Sequence, residues 1–99
     1  MFVRHSRVGV LRPWYIVTMV PIDRTQTGLR IERNTLKVLK ALAEYLDLSL
    51  GDLVEGIVLH VFEGQAPFSP AVLTKIEQLK AVYGMTLTAA DAHTLTEEE

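Results

Sequence analysis

The sequence predicts a mainly α fold with one short β-strand, completed only when two copies of the chain come together. Three observations carry this. Apolar and polar residues alternate in TQTGLRIER, residues 25–33, as in a strand with one buried face. Two stretches of helical period follow with a very short connection, and the second, over 50–62, is apolar on most sides. Finally, 48% of the 99 residues are apolar, an excess for so short a chain that points to a core shared with a second subunit.

Residues 1–22 read as an extended N-terminal arm, in which VLRPWYIVTMV is rich in β-branched and aromatic residues. Pro13 confines that segment to an edge or a strand start, and Met19 is a second candidate start. The candidate strand covers 24–32. Asn34 or Thr35 then caps a helix through residue 46, with Leu36, Leu39, Leu42, Ala43 and Leu46 on one stripe. After Asp47 and Leu48, Ser49 is a natural N-cap for the helix 50–62, with Asp52 in capping-box position and Leu48 and Leu53 at the staple positions. Leu53, Val54, Ile57, Val58, Leu59, Val61 and Phe62 make this helix apolar nearly all round, so a copy from a second subunit is the economical cover. Gly64 suits the position that ends it.

Ser69, Pro70 and Gly84 punctuate a further helix over about 70–83, with Leu73, Ile76, Leu79 and Tyr83 as a narrow apolar stripe. The end, TLTAADAHTLTEEE, is small, polar and acidic, and reads as a flexible tail. The organisation is therefore an arm over 1–22, a compact unit over 23–64, and a helix plus acidic tail over 65–99.

The formal charge of −2 hides an asymmetry. Residues 1–40 hold eight basic residues against Asp23 and Glu32, a net of +6; residues 41–99 hold Lys75 and Lys80 against ten acids, a net of −8. A polyanionic partner therefore suits the first forty residues. Without cysteine, disulfides and thiolate metal sites are excluded. Trp14 to Val17 is the longest apolar run, far too short to span a bilayer, and Arg12 and Pro13 interrupt any signal-peptide core. A soluble cytoplasmic protein with no membrane partner is expected.

Enzyme chemistry finds little footing. His5, His60 and His93 are scattered over arm, helix and tail, and no Ser-His-Asp spacing, P-loop or dinucleotide glycine pattern occurs. His60 and Glu63 lie one turn apart, but two ligands are too few for a metal. No enzyme, cofactor or metal is expected. Trp14 and Tyr15 beside Arg12 can stack on a base, although packing on the dimer is the commoner use of such residues.

Strand, helix, tight turn and apolar helix, in LRIERNTLKVLKALAEYLDLSLGDLVEGIVLHVF (residues 29–62), resembles the ribbon-helix-helix family of dimeric repressors (Arc, MetJ and CopG types). The resemblance implies an intertwined homodimer whose two strands pair as an antiparallel ribbon. One ribbon face packs on the helices and the other enters the major groove of double-stranded DNA. It places Leu29, Ile31, Leu36, Leu39, Leu42, Leu53, Ile57, Val58 and Val61 in the dimer core. Gln26, Gly28 and Arg30 fall on the groove side, where Arg can read guanine and Gln adenine. Ser49, Leu50 and Gly51 fall where free amides at the second helix's start grip a phosphate, and Arg24 and Arg33 are further phosphate contacts.

Two departures stand out. Gly28 offers no side chain at the central reading position, so either specificity is reduced or the backbone approaches DNA closely there. Glu32, Arg33 and Asn34 replace the family's usual helix start. The function implied is a DNA-binding transcriptional regulator, a repressor. The alternative is a protein-interaction module: small antitoxins of this family bind DNA and clamp a toxin with a C-terminal segment, here residues 66–99. The arm leaves room for a larger sheet or for tetramers along DNA.

Overall fold

The computed structural model describes residues 20–98. Three helices follow one another: α1 (Arg33–Tyr45), α2 (Leu50–Phe62) and α3 (Pro70–Tyr83), then a single 3-10 turn, Ala89–Asp91. The expected short β-ribbon is not seen in residues 20–98. Among the described residues there is no strand and no sheet, and none of the backbone hydrogen bonds outside the helices involves residues 20–31. The physical reason is that alternation fixes which side of a strand is apolar but supplies no neighbour, and a strand exists only through its ladder. This stretch is exposed and has no regular secondary structure, and the intertwined arrangement built on the ribbon falls with it. Of the arm, Val20, Pro21 and Ile22 are exposed and outside any regular element; the rest of it, with Trp14, Tyr15 and Met19, lies outside the described residues.

The start of α1 differs from the Asn34 or Thr35 cap. Glu32 is the N-cap: its carboxylate accepts from the amides of Asn34 (2.9 Å) and Thr35 (2.8 Å) and from the Thr35 hydroxyl (2.7 Å). A carboxylate there also suits the positive helix end. The helix closes at Asp47, which takes a left-handed φ of 58°, while Leu48 N donates to Ala43 O (2.9 Å) in a Schellman-type turn.

Ser49 caps α2, accepting from the Asp52 amide at 3.1 Å. At its other end Gly64 is left-handed (φ 70°), and Gln65 N reaches back to His60 O at 2.9 Å. The same grammar frames α3, with Ser69 Oγ accepting from Val72 N (3.3 Å), Pro70 in the first turn and Gly84 left-handed at the end. Replacing Ser49 by Ala should cost about 1 kcal/mol of stability, the usual worth of an N-cap. A urea midpoint unchanged from wild type would contradict that role.

The core sits around α1, which packs along α3 and, less extensively, against α2. Leu42, Ala43, Leu53 and Val72 are buried together, with Leu39, Leu46, Leu48, Ile57, Phe68, Ile76 and Leu79 packed on them. From α3 the buried residue is Val72, whereas Leu73 is 50% exposed. Lys75 Nζ lies 4.9 Å from the centre of the Tyr45 ring, joining α3 to the end of α1.

Helix α2 is the anomaly. Leu53 is its one buried residue, although eight of its thirteen residues are large and apolar. Leu59, Val61 and Phe62 are exposed, Phe62 to 80%. Within a single chain this helix is only half covered. No helix of the described residues is long and apolar enough to cross a membrane.

Candidate nucleic-acid interface

The extended segment lies beside the start of α2, and between them and α1 runs a groove of about 690 Å³. Gln26, Arg24, Ser49, Leu50 and Gly51 all line it, so one expected base reader and four expected phosphate contacts come together. Leu29, Ile31 and Leu36 form its apolar part. Gly28, Arg30 and Arg33 do not line it; Arg33 opens α1, and a side chain added at Gly28 would meet nothing within 4 Å.

The expected dimer-core residues divide. Leu42 and Leu53 are buried, and Leu39 and Ile57 pack on them. Leu36 is half-buried, Ile31 and Val58 lie at the margin of exposure, and Leu29 and Val61 face water, Leu29 to 69%.

Arg24 organises the groove. Its guanidinium grips Glu55 with both arms, Nη2–Oε1 at 2.7 Å and Nε–Oε2 at 3.2 Å, and reaches Asp52 Oδ1 at 3.1 Å. The hydrogen bond with Glu55 raises the Arg24 pKa and lowers that of Glu55. All three side chains are substantially exposed, so this network contributes modestly to stability. Its effect is positional: it fastens the extended segment across the first turns of α2. It also places a cation beside Asp52, whose charge would otherwise oppose an anion at the helix start.

The amide of Asp52 is taken by Ser49, but the space over Gly51 is open, since an added Cβ there would meet nothing within 4 Å. Lys40, which sequence reasoning passed over, lines the groove one helical turn after Leu36. Asp23 and Glu55 were also passed over; with Asp52 they give the lining three acids against Arg24 and Lys40. Arg30, by contrast, stands 85% exposed and pairs with Glu97.

Glu32 also has a lowered pKa, caused first by the Asn34 amide and then by the Thr35 hydroxyl and amide. Depressed carboxylates contribute stability that is fully present above the unfolded pKa, about 4.3, and is lost as pH falls through the lower folded value. Glu32→Ala should therefore melt below wild type at neutral pH, with the gap closing on acidification through that window. A gap of constant size in thermal melts from neutral to acid pH would contradict the cap's ionic character.

Among the described residues no group of three or more His, Asp or Glu side chains is placed to hold a metal ion. His60 Nδ1 lies 2.7 Å from Gly56 O, an acceptor, so that nitrogen donates within its own helix. No family model, curated protein or solved structure matches this chain.

Proposed function

We propose that this chain is a homodimeric DNA-binding transcriptional regulator that contacts the duplex with its extended segment and with the start of α2. The observation that carries the proposal is residues 20–32: exposed, outside any helix, without a strand partner among the described residues, and bearing Arg30 at 85% exposure. Arg30, Arg33, Lys37 and Lys40 lie on this segment and the helix it leads into, against Asp23 and Glu32, once Arg24 is assigned to Glu55 and Asp52. Such a stretch suits phosphate neutralisation, with Arg30 and Gln26 available to base edges. The ribbon is no part of the proposal; what supports it from the resemblance is the pair of helices.

The second copy is argued from α2. Val58, Leu59, Val61 and Phe62 face water in the single chain, an apolar surface that a soluble helix of this length does not leave uncovered without cost. A partner chain covering α2 brings two extended segments to one duplex. Native mass spectrometry of the protein mixed with a duplex of about two helical turns tests this. Two chains on one duplex is the expected species; free duplex beside free monomer would overturn the proposal.

Capture of a protein by residues 66–99 is a second reading, favoured by Leu73 and Val82, which are 50% and 72% exposed. It has less support, because Val72 belongs to the core and α3 lies along α1. Limited proteolysis separates the two: a capture segment is cut first, whereas a packed α3 resists.

A further inference from the structure

Resting on the DNA-binding reading, we propose that the acidic C-terminal tail is a built-in competitor for DNA, holding Glu97 on Arg30. The two residues are 67 positions apart in sequence, yet their side chains form an ion pair. The tail is led there by structure. Gly84, left-handed, turns the chain after α3, and the Asn34 side-chain amide donates to its carbonyl at 3.5 Å. Thr88 and Asp91 then lock a 3-10 turn: Asp91 Oδ2 accepts from the Thr88 amide (2.8 Å) and hydroxyl (3.2 Å), and Thr94 Oγ1 donates to Asp91 O (2.6 Å).

Along this path Leu87, Ala92 and Leu95 help to wall an apolar cavity of about 410 Å³ with Val38, Leu39 and Leu42 of α1. Leu95 is thereby placed beside α1, two residues before Glu97. A carboxylate offers a guanidinium the same pair of oxygens that a phosphate does. Both partners are exposed, Arg30 to 85% and Glu97 to 66%, so the pair is weak and yields to the denser charge of a duplex. The tail therefore raises the threshold for binding instead of preventing it, and does so by occupying the side chain best placed to read a base.

The test is anisotropy of a labelled random-sequence duplex at low salt, titrated with wild type, Glu97→Gln, Glu98→Gln, Arg30→Gln and the Arg30→Gln/Glu97→Gln pair. Glu97→Gln should tighten binding roughly two- to tenfold, the worth of one exposed ion pair per chain in a dimer. Glu98→Gln, the same change of charge one residue on, should do less, and the Glu97→Gln gain should vanish in the Arg30→Gln background. Equal gains at Glu97 and Glu98, or a gain that survives without Arg30, would show bulk charge and overturn the proposal. Wild-type binding with no effect of Glu97→Gln ends this proposal and leaves the DNA-binding reading standing; no binding by any variant ends both.

Discussion

Replacing Val61 with glutamate should split the dimer while leaving a chain that still carries its helices. Val61 is 56% exposed in the single chain and stands on the apolar part of α2 that a second copy would cover in the proposed dimer. Each interface would then have to bury two carboxylates in place of two valines. Losing the apolar burial and desolvating the charge together cost at least about 3 kcal/mol, so the dissociation constant rises roughly 100-fold or more. Light scattering across a dilution series reads this directly as a fall from dimer to monomer mass. Val82→Glu is the matching control: it is 72% exposed on α3, away from α2, and should leave the mass unchanged. A wild-type monomer, or a Val61→Glu dimer as tight as wild type, would contradict the assembly. Among the described residues the internal core of a single chain is Val38, Leu42, Ala43, Leu53 and Val72, so the monomeric variant should also melt well below the parent.

Arg30→Ala is expected to weaken binding at a preferred site by about 1–3 kcal/mol, a loss of roughly 5- to 150-fold. It should leave the melting temperature unchanged, because the side chain is 85% exposed and its ion pair with Glu97 is weak. Arg24→Ala should behave differently. Its guanidinium is spent on Glu55 and Asp52, so its loss frees two carboxylates beside the start of α2. Binding should then weaken about equally on every sequence, through repulsion of phosphate. Comparing a preferred duplex with a random one separates the two arginines: the ratio of affinities should collapse for Arg30→Ala and hold for Arg24→Ala. Equal losses on both duplexes for Arg30→Ala would remove it as a base reader.

The helices were legible because their ends are written in local chemistry. Ser49 and Ser69–Pro70 open α2 and α3, and Gly64 and Gly84 close them; each acts within a few residues of itself. The start of α1 was read two or three residues late because glutamate is not a usual N-cap, though Glu32 fills that role through three hydrogen bonds. The locked turn at Thr88–Asp91 was also present as a Thr-x-x-Asp spacing, and was passed over because small polar residues around it suggested a loose tail.

The strand was not recoverable from alternation alone. Leu29 and Ile31 show which side of the segment is apolar, but a strand needs a neighbour, and no other described segment provides one. The candidate site was half legible for a similar reason. Which residues lie near the start of α2 followed from the order of elements, whereas Arg24 with Glu55, 31 positions apart, and Arg30 with Glu97, 67 apart, are long-range pairings that no local pattern encodes.

The central claim, that the extended segment neutralises phosphates, is tested most directly by the salt dependence of binding to a random-sequence duplex. Anisotropy titrations at about 50 and about 200 mM salt suffice, since each neutralised phosphate contributes about −0.9 to the slope of log K on log salt. If each chain of a dimer neutralises about two phosphates, affinity should fall on the order of 100-fold between the two conditions. Binding that is absent at the lower salt, or equal at both, would contradict the account.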